Sequence, residues 1–354
     1  MGPQSEPLAA ESTGAPAAHG TSCPSCGADV GESDRFCEAC RYDLVAGVAT
    51  VAPARPGPRW LTSTGAPNAC GACGGTAFGP EGYCDTCGQR RPAGRDHSEL
   101  DLGAVAAVSD IGHRHRHNED AVAIGLLPGA LAAVVCDGVS SSTRPDTASY
   151  PAVDAAAEAL LAALSGGDGP EPALEAAARA AQAAAALAGG AGPGGNPPSC
   201  TFVAGVVTAD SVSVGWVGDS RAYWLPDRDA EPAVLTTDDS LAGRLAATGV
   251  PVAEVPQGAT AGALVRWLGA DAQDTAPHLV TIRPTGPGRL LVCSDGLFRY
   301  RPLPTELAAA TPAGTPIDTA RGLVALALNA GGQDNVTVAV LPYPAIERSE
   351  ERPG

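Results

Sequence analysis

From about residue 98 onward, short apolar runs alternate with polar, Gly, Pro or Asp breaks. The runs at 102–108, 119–127, 131–136, 201–208, 211–217, 221–225, 289–294 and 335–342 are mostly Val-rich and of strand length, as expected of β-strands bounded by turns. Ala-rich stretches of helical length lie between them at 147–164 and 171–189, with others near 239–248 and 316–330. Two long helices in succession between the third and fourth strands break a regular strand–helix alternation. The pattern therefore predicts an α+β domain of antiparallel sheets with helices packed outside them. The Gly/Pro-rich piece 189–198 is expected to be a loop.

The first 95 residues have a different texture. Eight of the 11 cysteines fall in two quartets, Cys23, Cys26, Cys37, Cys40 and Cys70, Cys73, Cys84, Cys87, each spaced C-x2-C-x10-C-x2-C and offset from the other by 47 residues. Two C-x2-C turns joined by a short hairpin can supply four thiolates to one tetrahedral zinc ion, and metal binding then supplies the folding energy that so small an apolar content cannot. Such sites have no open ligand position and are structural. The alternative, two disulfide-stapled mini-domains, requires an oxidising compartment. The predicted organisation is a tail at 1–20, zinc ribbon one at 21–45, a flexible linker at 46–68, zinc ribbon two at 69–92, one large domain at 98–345 and a tail at 346–354.

Composition narrows the function classes. The chain has 354 residues, 22 basic against 39 acidic side chains, and a net charge of -17. Residues 1–95 carry 7 Arg against 9 acids, a balance of -2, and the remainder carries 15 Arg against 30 acids, a balance of -15. Nucleic-acid binding rests on basic side chains that release counterions, so nucleic acid is not an expected partner. No apolar stretch is long enough to span a bilayer and the N-terminus lacks signal-peptide order, so no membrane association is expected and the expected location is the cytoplasm. The acidic excess of the large domain calls for counter-ions, and divalent cations are the obvious candidates.

Four acidic clusters stand at strand ends: Glu119-Asp120, Asp137-Gly138, Asp295-Gly296 and Asp334-Asn335. A sheet end presents carboxylates with little freedom to recoil, as a hard-cation site requires. Any one Asp-Gly taken alone is better read as a hairpin turn than as a metal ligand; Asp168-Gly169, in a Gly-rich loop, is such a case.

The order of the clusters and their company is more telling. GHRHRHNED (112–120), AAVVCDG (132–138), SCTFVAG (199–205), WVGDSRAYWL (216–225), LTTDDS (235–240), LLVCSDGLF (290–298) and GGQDNVTV (331–338) follow one another along the second domain. In kind and order these segments resemble the metal-dependent Ser/Thr protein phosphatases of the PPM, or type 2C, family, in their bacterial form. The resemblance implies a four-layer α/β/β/α sandwich of two antiparallel sheets with a two-metal centre at one end. It implies that Asp137 bridges two Mn or Mg ions, that the Gly138 carbonyl binds one and Asp295 with Asp334 the other. It further implies that Glu119 and Asp120 order metal-bound waters and that Asp219 joins Asp295 at a third, weaker ion. In such a centre a water activated by two cations attacks phosphorus in line, without a covalent phosphoenzyme.

Two departures from the family pattern matter. The family usually places an Arg five residues before the Asp of N-E-D to fork onto the substrate phosphate; here that position is His115, flanked by Arg114 and Arg116. If the segment is extended, the two Arg point away from the face that His115 occupies. The phosphate contact is then either His115 or an Arg turned inward by a bulge, and alternating His113, His115 and His117 also leave room for a transition-metal site. Second, some relatives carry a His after the D-G pair as a general acid, where this chain reads Val139-Ser140-Ser141-Ser142. Phenolic leaving groups, which need less help, are expected to tolerate this better than alkoxides.

The expected activity is hydrolysis of phosphoserine and phosphothreonine in proteins, with Mn2+ or Mg2+ (two or three ions) in the large domain and two structural Zn2+ in the ribbons. The expected partners are phosphorylated proteins, a Ser/Thr kinase and its targets, and a protein docking to the ribbons. The alternative is a catalytically weak or inactive scaffold that binds partners through its ribbons. Cys136, Cys200 and Cys293 are expected to be reduced core residues, Ser220-Arg221 a loop brace, Trp216, Trp224 and Trp267 packing residues, and 239–275 a substrate-reading flap.

Overall fold

The computed structural model describes residues 22, 30–31, 42–44, 48–49, 58–64, 85, 95–189, 195–228, 230–248 and 261–345. It divides into two units, Met1–Gly57 and Pro58–Gly354. In the first, β1 (Tyr42–Asp43) pairs antiparallel with β2 (Val48–Ala49). The eight quartet cysteines and the spans 1–20 and 346–354 lie outside the described residues.

The second unit begins with β3 (Arg59–Thr62), β4 (His97–Asp101), β5 (Ala106–Asp110), β6 (Ala121–Leu127) and β7 (Ala130–Cys136), followed by helices α1 (Asp146–Gly166) and α2 (Pro170–Ala188). Next come β8 (Ser199–Cys200), β9 (Phe202–Val207), β10 (Val212–Val217), β11 (Arg221–Pro226), β12 (Ala233–Val234), α3 (Leu241–Ala247), β13 (Leu268–Gly269) and β14 (His278–Ile282). It closes with β15 (Gly288–Cys293), α4 (Asp295–Phe298), α5 (Pro304–Ala310), α6 (Pro316–Asn329) and β16 (Val336–Tyr343).

These elements form two six-stranded antiparallel sheets, ordered β14-β10-β9-β7-β6-β3 and β12-β11-β15-β16-β5-β4. Side-chain alternation explains why their strands read as unbroken apolar runs. On β7, Leu131, Ala133 and Val135 point into the layer between the sheets, while Ala132, Val134 and Cys136 point toward α1 and α2. On β16, Ala339 and Leu341 face the inter-sheet layer and Val336, Val338 and Val340 face α6. Both faces of each central strand are covered, so neither can be polar. The expected α+β sandwich with helices on both outer faces is therefore present. Ala148, Ala152 and Ala156 of α1 meet Ala177, Ala181 and Ala185 of α2 in one buried cluster, small side chains that let these helices sit close.

Two boundaries differ from the sequence expectation. The span 46–68, expected to be a linker, contributes β3, which pairs with β6 from Arg59↔Leu126 to Thr62↔Ala123. The strand expected at 102–108 is instead the corner and second arm of a hairpin: β4 pairs with β5, and the turn between them is held by Asp101 Oδ1, which accepts the Gly103 N–H at 2.7 Å.

Candidate active site

Three of the four acidic clusters, together with Asp219, meet in one cleft of about 430 Å³ lined by Asp137, Gly138, Asp219, Asp295 and Asp334. Each reaches it from a rigid element. Asp137 directly follows β7 and is locked to the start of β9: Thr201 N donates to its carbonyl at 2.7 Å, and Thr201 Oγ1 accepts its N–H at 3.1 Å. Asp219 follows β10, Asp295 opens α4 directly after β15 and its N-cap Ser294, and Asp334 lies between α6 and β16.

The glycines after Asp137 and Asp295 are close-approach positions, not hairpin turns. A Cβ on Gly138 would lie 2.6 Å from Pro145 Cβ and 2.9 Å from the Glu119 carbonyl oxygen; one on Gly296 would lie 1.9 Å from the Asn335 carbonyl oxygen. Such contacts are shorter than van der Waals packing allows, so only glycine lets these backbones meet.

Segment 112–120 is a turn rather than an extended strand, which changes what its side chains do. Arg114 and Arg116 are exposed, whereas His115 turns inward and places Nε2 3.0 Å from Asp334 Oδ1. Neither Arg therefore stands in the cleft, and the alternating-face argument fails because the backbone does not alternate there. The segment is pinned by Asn335: its Oδ1 accepts the Glu119 N–H at 2.8 Å and its Nδ2 donates to the Ile111 carbonyl at 2.8 Å and the His117 carbonyl at 3.3 Å. Glu119 is half-buried and accepts a bond from Ser140 Oγ at 3.4 Å. Asp120 is buried beneath the cleft, where its Oδ2 accepts from Ser294 Oγ at 2.8 Å and Thr337 Oγ1 at 2.7 Å.

These carboxylates crowd one another. Asp137 keeps a little surface at the cleft wall yet sits deep among protein atoms; burial, and then the charges of Asp120, Asp295, Asp219 and Asp334, hold its pKa well above the usual carboxylate range. Burial pushes Asp120 up to about 7 against the pull of its two hydroxyl donors, and burial with Asp295 and Asp238 pushes Asp219 up to about 7. Asp295 is raised by burial and Asp334, opposed by Arg299 and His115. Glu119 is raised chiefly by burial.

Such a set is complementary to hard cations. All its donors are carboxylate oxygens, which Mg2+ and Mn2+ prefer. The other oxygen of Asp120, Oδ1, is buried with no hydrogen-bond partner, a deficit that a cation or its hydration shell would relieve. Among the described residues no three acidic, His or Cys side chains are already drawn into a closed metal shell. Instead Arg299 Nη2 bridges Asp295 Oδ2 at 2.7 Å and Asp334 Oδ2 at 3.1 Å. Arg299 is not marked out by any motif; its only sequence signal is the four-residue helical spacing from Asp295. The residues thus fit divalent cations, with two carboxylates occupied meanwhile by an internal one.

The remaining wall is polar and uncharged near Gly138: Ser140, Ser141, Ser142 and Asn196 line it. Trp267, expected to be a packing residue, also lines the cleft and donates from Nε1 to Asp271 Oδ1 at 2.9 Å. Trp216 and Trp224 are buried between the sheets as expected, and Cys136, Cys200 and Cys293 are buried and free. Arg221 does brace a loop: it forks onto Asp238 with Nε–Oδ1 2.8 Å and Nη2–Oδ2 2.7 Å and stacks over Phe298. Part of the expected flap at 239–275 is described; at its root the buried Arg266 places Nη1 3.1 Å from the buried Asp239 Oδ2, and the exposed His278 places Nε2 3.0 Å from Asp239 Oδ1.

Residues 111–317, over half the chain, match the family model described as protein phosphatase 2C. The serine/threonine protein phosphatase PstP of Mycobacterium tuberculosis is 29% identical over 256 residues, 70% of this chain and 46% of the relative. The chain thus spans about half the length of the curated relatives it matches. Among solved structures, serine/threonine phosphatase Stp1 from Staphylococcus aureus covers 69% of this chain and 96% of its own, at 25% identity and a TM-score of 0.57. The catalytic domain of PstP in complex with two manganese ions covers 67% and 96%, at 30% identity and a TM-score of 0.50. With the family model matched across the segment that carries Asp137, Asp219 and Asp295, the chain belongs to the protein phosphatase 2C family.

Proposed function

We propose that the second unit is a metal-dependent protein phosphatase that hydrolyses phosphoserine and phosphothreonine. The observation that carries this is the convergence of Asp137, Asp219, Asp295 and Asp334 on one cleft, where burial and mutual repulsion make the set unfavourable without cations. Asp137, the Gly138 carbonyl, Asp295 and Asp334 would hold two Mn2+ or Mg2+ ions, and Asp219 with Asp295 a third; a PstP structure with two manganese ions is in keeping with this. When bound, such cations supply Lewis acidity that makes water a nucleophile near neutral pH and offsets charge on phosphoryl oxygens.

The chain's own residues do the rest. The sheet ends fix the carboxylates, with Thr201 holding Asp137 and Ser294 with Thr337 holding Asp120, so little reorganisation is needed as charge moves to the leaving group. Asn335 keeps Glu119 and His115 against the cleft. The Ser140–Ser142 wall offers hydroxyls but no titrating acid to a leaving oxygen, so aryl esters should be favoured over alkyl esters. One observation favours an inactive scaffold instead: His115, at the position where the family carries its phosphate Arg, is engaged by Asp334.

The spacing of the eight N-terminal cysteines supports two structural zinc ribbons as a docking module, and the acidic balance argues for protein rather than nucleic-acid partners, among them a Ser/Thr kinase or its targets. Among the described residues no helix is long and apolar enough to cross a membrane, and Cys136, Cys200 and Cys293, unpaired and buried, are in keeping with a cytoplasmic protein. Hydrolysis of p-nitrophenyl phosphate with and without Mn2+, in the wild type and in Asp137→Ala, tests the enzyme directly. Mn2+-dependent turnover confined to the wild type is expected; equal rates in the two proteins would leave the scaffold.

A further inference from the structure

Among the described residues, no cleft side chain is plainly free to grip the phosphoryl oxygens of a substrate. His115 is held by Asp334, and Arg114 and Arg116 point to solvent. Two further Arg near the cleft and flap are committed elsewhere: Arg221 spends its fork on Asp238 and its face on Phe298, and Arg266 is buried against Asp239 and Asp274. Arg299 is different. Its side chain is 45% exposed, and it touches Asp295 and Asp334 through a single nitrogen, Nη2. Both planar forks of the guanidinium, Nε with Nη2 and Nη1 with Nη2, run through that nitrogen, so the fork that suits phosphate becomes free only when Arg299 gives up the two carboxylates.

We propose that Arg299 is the residue of this chain that grips the substrate phosphoryl group, leaving Asp295 and Asp334 when divalent cations take those carboxylates. The inference rests on the phosphatase function above and assigns it one more substrate-contacting residue. Its backbone is fixed: the Arg299 N–H donates to the Asp295 carbonyl at 3.0 Å, and α4 is clamped by the contact of Gly296 with the Asn335 carbonyl. Only the side chain has to swing. With cations held by Asp295 and Asp334, the guanidinium would lose the attraction that now holds it and meet repulsion instead. A phosphomonoester dianion entering the cleft is then the nearest uncompensated negative charge. Arg299 thus serves two anions in turn, the carboxylates in the cation-free protein and the phosphate in the loaded one.

The two halves of this exchange predict opposite effects of one substitution. In calorimetric titration of the metal-free full chain, Arg299→Ala removes a competitor, so the Kd for Mn2+ should fall about threefold or more. In titration of the Mn2+-loaded protein with inorganic phosphate, the same variant loses a charge-assisted fork, so the Kd should rise about tenfold. Arg299→Lys keeps the charge without the fork and should recover only part of the phosphate affinity. With a phosphothreonine peptide the loss should fall more on KM than on kcat.

Phosphate affinity of Arg299→Ala within about twofold of wild type would overturn the proposal, as would weaker Mn2+ binding, the mark of a residue that merely supports the carboxylates. Should Arg299→Ala fail to fold, Arg299→Lys and Arg299→Gln undergo the same two titrations, and the same outcomes support or overturn the proposal. Wild-type hydrolysis of p-nitrophenyl phosphate is measured alongside. Its absence would sink the phosphatase function itself; its presence with unaltered variants would sink only the role of Arg299.

Discussion

The Asn335 side-chain oxygen accepts the Glu119 backbone N–H at 2.8 Å, joining two residues 216 positions apart at the edge of the acidic cleft. The same amide donates to the carbonyls of Ile111 and His117, so one nearly buried side chain satisfies three backbone groups of the turn that carries His115 and Glu119. Asn335→Ala should cost about 2 kcal/mol in chemical denaturation, because groups left unpaired in a buried setting keep their desolvation penalty. It should also lower turnover, since the turn is freed to drift from the cleft. A variant with wild-type stability would show that water replaces the amide without loss.

The crowding of acids gives the metal-free protein an unusual pH profile. Asp120 and Asp219 titrate near 7 in the folded chain, against an ordinary value of 3.8. Between those pH values the folded state binds more protons than the unfolded one, so stability falls as pH rises from about 4 to about 7 and stays low above that. Thermal melts in EDTA should show Tm dropping over this window, and Asp219→Asn should flatten the drop. A Tm that rises across the same window would mean that these carboxylates are not desolvated together.

The first sheet depends on a strand far from the domain body in sequence. Ser63 Oγ accepts the Val122 N–H at 3.0 Å, and the Thr62 and Thr64 hydroxyls donate to Asp154 Oδ1 of α1 at 2.8 Å and 2.7 Å. A truncation that starts at residue 96 strips β3 and leaves the outer edge of β6 unpaired, its other edge still bonded to β7, inviting association between exposed edges. Light scattering should find that truncation aggregating at a lower temperature than the full chain. Equal behaviour would make β3 dispensable.

How much of the fold and site is legible in the sequence depends on which residues carry periodic or motif signals. β7, β9, β10, β15 and β16 stand out as unbroken apolar runs because both of their faces are covered. β3, four residues in a stretch rich in Pro, Gly and Thr, and β14, half-exposed at a sheet edge, carry no such run and escape the pattern. The cleft acids are legible as Asp-Gly and Asp-Asn pairs at strand ends. Local pattern alone reads the glycines as turns, since the Glu119 and Asn335 carbonyls that exclude a Cβ come from other segments of the chain. The inward turn of His115 and the bridge from Arg299 to Asp334 are not legible, because each depends on a loop placed by Asn335.

The most direct test of the cation-dependent cleft is Asp137→Asn, followed through hydrolysis of a phosphothreonine peptide and thermal unfolding in EDTA. Removing one desolvated acid from a repelling set should raise the Tm of the metal-free variant above wild type, while Mn2+-dependent hydrolysis falls by about a hundredfold or more. A variant that keeps wild-type hydrolysis, or whose metal-free Tm drops, would contradict the central claim that these carboxylates are held together for cations rather than for the fold.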